Sequence, residues 1–501
     1  VGGEVAPALR ELVDEGRRSA GRPTTPVPVV RTAPGRAGHT RRISPARPTA
    51  ALSADIDLGA IPTRLRDRVF TPRDAGYDDV RSTYMRAGHP GLVVMAASPD
   101  DVAAAVEFAR RQPVELSVRS GGHGISRRST NDGGIVIDVS QLDTIEVLDE
   151  ARRRVHIGAG ATWGHVANAL GGHGWAMTSG NYGDVGVGGL ATAGGIGYLL
   201  RRSGLTIDHV VAADIVLADG RLVRADADAE PDLFWAIRGA GANMGIVTAV
   251  ELTALPVDRV VYASFAHDLG DAAGLLRAWS DVMREAPREL TSFLYLFPDG
   301  PSQASVAQAT HVWAGDDAEA ALPLLERLAT VGPLVAQPQA QVVPYPAIVA
   351  PLDSRHTGQQ HARSRNGLLD EMRDEDAEAI ARLVATPRMT MIEVRSLGGA
   401  LRDVDPAATA WAHRHQQVFV SAGAPGYAEE ALDAAWSPLA ARASGVYPAY
   451  TSDSRPERVH DAFPGETLTR LRQIKRRVDP DNLFTGHVDL LAGDRVAAAE
   501  G

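Results

Sequence analysis

A continuous apolar run over residues 92–97 predicts a buried strand. Directly after it, Ser98, Pro99, Asp100 and Asp101 supply a helix start, and Val102, Val106 and Ala109 fall on one helical face, which predicts a capped amphipathic helix. The alternation Val114, Leu116, Val118 predicts a half-buried strand. Apolar runs at 134–139 and 154–158 predict two more strands, and 162–170 reads as a helix following the glycine turn at 158–160. Strand patterns over 210–217 and 221–225 flank Ala218-Asp219-Gly220, a hairpin signal. Strands and helices mix here without a strict βαβ alternation.

Beyond residue 257 the pattern changes. Helical periodicity over 272–282 and 318–328 alternates with strand-like runs at 304–312 and 389–394, which predicts an antiparallel sheet with helices on one side. A last helical pattern covers 468–477. The expected class is α+β. At the other end, Val5, Leu9, Leu12 and Val13 form a short helical pattern, and 17–48 is a Pro-, Thr- and Arg-rich stretch without the apolar centre of a secretory signal. A surface arm is expected there.

Composition narrows the chemistry. The chain has 501 residues, 44% of them hydrophobic, enough for one large or two medium cores. A formal charge of −11 argues against nucleic acid or an anionic membrane as partner. With no cysteine, disulfides, thiolate metal sites and cysteine nucleophiles are excluded. The 15 histidines show no His-Glu-x-x-His spacing, so no metal site is expected. No apolar run approaches the roughly 18–20 residues of a membrane span. Lys475 is the only lysine, which reads as an amino-acid bias in favour of arginine. The cytoplasm is the expected compartment, with export behind a removed leader as the alternative, and a small molecule is the expected partner.

Three glycine clusters carry the candidate chemistry. The strand at 114–118 runs into Arg119-Ser120-Gly121-Gly122-His123-Gly124, a turn whose glycines admit positive φ and bring backbone N–H groups close to a bulky anion, with one histidine over the site. Residues 183–197 hold Gly186, Gly188, Gly189, Gly194, Gly195 and Gly197 among small apolar residues, a density that argues against helix and ordinary strand. A third cluster follows Asp232-Leu-Phe-Trp-Ala-Ile-Arg238-Gly239 and ends at Gly245-Ile246-Val247. A relaxed dinucleotide fingerprint at Gly186, Gly188 and Ala191 lacks both a preceding strand and a following helix, and no Gly-Lys-Ser/Thr occurs, so nicotinamide and P-loop readings fall away.

These clusters in this order, followed by Val478-Asp-Pro-Asp-Asn482-Leu-Phe484, make the chain resemble the berberine bridge enzyme-like oxidases of the vanillyl-alcohol-oxidase, or PCMH-type, FAD-binding superfamily. The resemblance covers roughly 53–492 and implies an arm at 1–52, an FAD-binding domain at 53–256, a substrate domain at 257–445, and a segment at 446–501 that packs back on the FAD domain. It implies FAD bonded through His123 alone: the family's second link comes from a cysteine at the position of Tyr182. It also implies that the backbone of 119–124 and of the 186–195 loop, including Gly188, Gly189, Gly194 and Gly195, holds the pyrophosphate, with Tyr182, Gly245, Ile246, Val247 and Asn482 also near the cofactor. Val185, where family oxidases carry valine and dehydrogenases leucine, implies that dioxygen reaches the flavin.

The activity implied is hydride transfer from an alcohol, on a sugar or a specialised metabolite, to flavin N5, with hydrogen peroxide released. A base is needed for the hydroxyl proton. Tyr447 and Tyr450 are equal candidates, and a phenol needs a nearby cation, for which Arg395 is the candidate, to ionise near neutral pH. The family's Tyr-x-Asn reads Tyr447-Pro-Ala449 here, while Ile196 and His487 replace a tyrosine and an asparagine. Trp411, Tyr345, Tyr427 and Gln417 would serve a sugar. Alternatives are an oxidative cyclase or amine oxidase on an alkaloid-like metabolite, an FAD-dependent dehydrogenase, and a catalytically silent flavin-binding protein.

Overall fold

The computed structural model describes residues 9–10, 55–298, 305–350, 358 and 362–492. The stretch at 17–48, and Val5, Leu12 and Val13 before it, lie outside the described residues.

The apolar runs become three sheets. In the first, β1 (Val69–Phe70), β2 (Leu92–Met95), β3 (Leu116–Arg119) and β4 (Ile135–Asp138) lie in the order β1-β2-β4-β3, with β4 parallel to both β2 and β3. Parallel order demands a crossover. The helix Pro99–Ala109 supplies one between β2 and β3, and the Ser98 hydroxyl caps it by accepting the Asp101 N–H at 3.1 Å. The second sheet is antiparallel: β5 (Ile145–Asp149), β6 (Arg154–Gly158), β7 (Val210–Val216), β8 (Leu222–Asp226) and β9 (Ile246–Thr253) take the order β5-β6-β9-β7-β8. The β7–β8 hairpin turns through Gly220 at φ +86°.

The third sheet has seven antiparallel strands: β10 (Arg259–Asp268), β11 (Leu290–Phe297), β12 (Val306–Trp313), β13 (Gln339–Pro344), β14 (Ala362–Leu369), β15 (Met391–Ser396) and β16 (Val418–Pro425), in the order β13-β10-β12-β11-β15-β16-β14. Residues of the helices Ala272–Glu285, Ala318–Ala329, Asp374–Ala385 and Glu429–Ala440 share a core with Leu294, Val394 and Val420 of this sheet. Strand side chains alternate between faces. Phe293, Arg395 and Phe419 therefore form one row on the other face, and Tyr295, Glu393 and Ser421 the next. Phe293 and Phe419 join the core of the first two sheets, and so do Phe463, Leu471, Ile474 and Leu490 from near the C-terminus.

One expectation fails. Residues Val187–Ala193 are helical despite their glycines. Packing outweighs propensity there: Val187, Ala191 and Ala193 are buried, and the Val187 and Gly188 N–H groups donate to Ala161 O at 2.8 Å and Ala159 O at 2.9 Å. The dinucleotide setting is still not met. Gly186 makes only an isolated bridge to Thr162, and no strand of the three sheets leads into it.

Candidate active site

The histidine loop is fixed from below. At the end of β3 the buried Arg119 guanidinium donates to Asp138 on β4 at 2.5 Å, to Ser82 O at 3.3 Å and to Val80 O. Its side chain is thus consumed by the fold. The Ser120 hydroxyl donates to Ala159 O at 2.6 Å. Next, Gly121 and Gly186 touch: a Cβ on Gly121 would stand 2.3 Å from Gly186 N, and one on Gly186 would stand 2.2 Å from Gly121 N. This contact requires glycine at both positions, since only Cβ-less residues let the backbones approach so closely. Gly122 follows at φ +67°. The His123 imidazole lies half-buried, stacked on Tyr84 with centroids 4.7 Å apart and planes 16° apart.

On β15 the period of two brings Glu393 and Arg395 to one face, both buried. Arg395 donates to Glu393 at 2.8 Å, Ile196 O at 2.7 Å, Asn181 Oδ1 at 3.2 Å and the Tyr450 hydroxyl at 3.1 Å. That hydroxyl donates in turn to Glu393 at 2.9 Å. Asn181 donates to the Tyr295 hydroxyl. Phe293 lies under the guanidinium at 4.7 Å, with the Tyr450 ring at 5.2 Å. Burial works against the Arg395 charge, yet Glu393 and the hydroxyls of Tyr450 and Tyr295 outweigh it and raise this pKa above its ordinary value. Tyr450 is pushed well above the ordinary phenol value, first by burial and then by the Glu393 charge, with Arg395 opposing only in part. Arg395 therefore favours the phenolate less than burial and Glu393 disfavour it. The Glu393 carboxylate holds the Tyr450 hydroxyl as a hydrogen-bond donor.

Burial first, then the Glu393 charge and Tyr84, raise the Tyr182 pKa above the ordinary phenol value, with Arg395 opposing. Half-buried Val185 donates its N–H to Tyr182 O at 3.3 Å.

Tyr447 and Tyr450 are separated in role. The Tyr447 hydroxyl accepts the Gly195 N–H at 3.1 Å and its ring stands edge-on to Trp411 at 4.9 Å, so it braces the end of the second glycine cluster. Gly194 at φ +150° lies against the same Trp411. Gly245 abuts Val216 O, while Ile246 and Val247 lie buried in β9. Asn482, at φ +52°, donates to Asp489 at 3.0 Å in the C-terminal loop. The neighbouring His487 pairs with Ser126 just past His123 at 2.9 Å and is held down to about 4, mainly by burial. Of the four side chains considered for a sugar, two are held by backbone carbonyls. Trp411 donates to His413 O at 2.8 Å and Tyr345 to Met177 O at 3.1 Å. Tyr427 is 79% exposed beside Arg388, and Gln417 lies at the Gly398 turn.

Residues 90–226 match the family described as FAD binding domain, and 446–487 the one described as berberine and berberine like. The (R)-6-hydroxynicotine oxidase of Paenarthrobacter nicotinovorans is 31% identical over 449 residues, 85% of this chain and 96% of the relative. The chain belongs to the berberine bridge enzyme-like FAD-linked oxidoreductases. The crystal structure of 6-hydroxy-D-nicotine oxidase from Arthrobacter nicotinovorans superposes with a TM-score of 0.73 at 27% identity, covering 85% of this chain and 98% of that one. Among the family's relatives of this chain, the chitooligosaccharide oxidase of Gibberella zeae is 24% identical over 497 residues, 90% of this chain and 96% of its own. FAD is the cofactor.

The residues present fit that group. A Cβ on Gly189 would have nothing within 4 Å, so the second glycine cluster is open on one side, beside the closed Gly121–Gly186 contact. A narrow cleft between Thr192, residues 239–243 and His487 joins the second and third clusters to the C-terminal segment. Not every proposed backbone donor is available, however: the N–H groups of Val187, Gly188, Gly194 and Gly195 bond within the protein.

Sequence reasoning assigned no role of their own to Tyr84, Asn181, Tyr295 and Glu393. Only Glu393 left a signal: it stands two residues from Arg395 on a predicted strand, hence on the same face. The others come from segments without a motif.

Proposed function

We propose that this chain is an oxidase acting on a carbon that bears a hydroxyl group in a specialised metabolite, with Tyr450 as the base and hydrogen peroxide as the second product. The observation that carries this reading is the Tyr450 hydroxyl, which donates to Glu393 at 2.9 Å while accepting from Arg395 at 3.1 Å. FAD, when bound, would supply the hydride acceptor and the route for electrons to dioxygen. Tyr450 takes the substrate hydroxyl proton as its own proton moves to Glu393, and Arg395 holds both oxygens in place. Burial of the pair excludes water from this transfer.

His123 is the single covalent anchor for FAD in this reading, and Val185 leaves the approach of dioxygen unobstructed. A metabolite is favoured over a sugar because the surroundings of the β15 pair are Phe293, Phe419 and tyrosines, while Trp411 and Tyr345 spend their polar hydrogens on backbone carbonyls. A second reading, oxidation at a carbon bearing an amine in an alkaloid-like compound, is supported by the same aromatic walls and the likeness to the nicotine oxidase.

The experiment is peroxide release and oxygen uptake across panels of metabolite alcohols, cyclic amines and oligosaccharides. Activity is expected on the alcohols, and Tyr450→Phe and Glu393→Gln are each expected to lower kcat by about 10²–10⁴-fold, the usual worth of a positioned base. A Tyr450→Phe enzyme as fast as the wild type would remove Tyr450 from the mechanism, and turnover confined to oligosaccharides would overturn the substrate class.

A further inference from the structure

We propose that Tyr84 is the positioning residue for attachment of FAD to His123: its ring fixes the plane of the imidazole so that one nitrogen meets the flavin 8α carbon. The inference rests on the reading of His123 as the covalent anchor.

Two independent observations carry it. First, the rings of Tyr84 and His123 lie nearly parallel, 16° apart, with centroids at 4.7 Å, within the range of a face-on aromatic contact. An imidazole on a glycine turn otherwise rotates about two side-chain bonds, and a platform against one face removes that freedom. Second, the platform is tied to the chain on both sides of the histidine. The Tyr84 N–H donates to Gly122 O at 3.1 Å, immediately before His123. Arg86, two residues on, donates to Thr130 O at 3.0 Å and to Asp132 at 2.6 Å, on the segment that leaves the loop. Thr83 and Arg86 close a turn around Tyr84 through the Thr83 N–H to Arg86 O bond at 2.9 Å. Tyr84 therefore moves with the loop, not independently of it.

The bond that forms joins an imidazole nitrogen to C8α. One methyl C–H and the imidazole N–H are broken, two protons leave, and two electrons enter the flavin ring, from which dioxygen removes them as hydrogen peroxide. A reaction between two held groups loses rate steeply when one is loosened, which is the penalty expected for removing the Tyr84 ring.

The test uses the full chain with Tyr84→Phe, Tyr84→Leu, Tyr84→Ala and His123→Ala. Each is mixed with FAD under air, sampled over time and precipitated with acid, and the flavin retained by the protein is measured together with the thermal midpoint and the flavin bound before precipitation. Tyr84→Phe keeps the ring and is expected to attach FAD like the wild type. Tyr84→Leu and Tyr84→Ala are expected to bind FAD yet attach it about 10–100-fold more slowly. Attachment at the wild-type rate in Tyr84→Leu or Tyr84→Ala overturns the proposal, as does slow attachment in Tyr84→Phe, which would assign the effect to the hydroxyl. Should Tyr84→Ala not fold, Tyr84→Leu, which keeps side-chain bulk without a flat face, decides. Wild-type protein that releases all its flavin into acid refutes the covalent reading itself, a result distinct from the others.

Discussion

Lys475 shows what a single residue contributes that composition hides. Its scarcity reads as a bias, yet the side chain is fully buried, donating to Asn243 O at 2.8 Å, Phe484 O at 2.6 Å and the Asp479 carboxylate. Asp479 also accepts the N–H groups of Leu483 and Phe484, both at 2.8 Å, so the Asp-Pro-Asp-Asn motif is a loop wound around one ion pair. Three acceptors around a compact ammonium suit lysine; the planar fork of arginine does not match them. Lys475→Met leaves Asp479 as a buried unpaired charge and is expected to cost about 3–5 kcal/mol in denaturant unfolding, with Lys475→Arg also destabilising. Glu393 teaches the converse. Its place beside Arg395 was open to strand periodicity, but its partner Tyr450 is 57 positions away, and no local pattern reports such a pairing.

Among the elements, the glycine-rich helix Val187–Ala193 separates two uses of glycine. At Gly186 the missing Cβ serves the protein, because backbone atoms of Gly121 would stand in its way. At Gly189 nothing in the protein would obstruct a methyl group. Gly186→Ala is accordingly expected to lower the thermal midpoint of the apo-protein and its flavin content together. Gly189→Ala should leave the apo-protein as stable as the wild type and weaken FAD retention alone; flavin titration of both variants distinguishes the two. The strands at 92–95, 135–138 and 154–158 were legible because their apolar runs end in glycine or polar turns. The helix was not, since its stability comes from Val187, Ala191 and Ala193 packing onto residues distant in sequence, and from carbonyls at 159 and 161 that receive its first N–H groups.

For the molecule as a whole, titration reaches the third sheet as well as the site. His311 on β12 is 1% exposed, pairs with Ser292 at 2.9 Å, and is held down to about 3, chiefly by burial and further by His267 nearby. The unfolded chain takes up a proton near pH 6.5 that the folded one refuses. This contribution is thus complete above pH 6.5 and is lost as the pH falls, by ~2 kcal/mol between pH 6.5 and 5 at ~1.4 kcal/mol per unit. Chemical unfolding across that range should show the slope, and His311→Gln should flatten it. An antiparallel sheet with helices on one side was legible here from two strand-like runs between helical ones, but five of its seven strands were not named. Its strand order was not legible, because β14 pairs with β16 and β11 with β15 across long intervals that periodicity does not encode.

The core around the first two sheets closes only with Phe463, Leu471, Ile474 and Leu490. In biosynthesis, the compartment that opens near residue 56 stays unfinished until the helix Glu466–Val478 and Leu490 beyond it have left the ribosome. The histidine loop is synthesised early and waits, while the third sheet, complete at residue 425, can assemble first. Capture of the cofactor is thereby deferred until residue 490 has been made, and a chain stopped short of it is expected to lose flavin binding before it loses the third sheet.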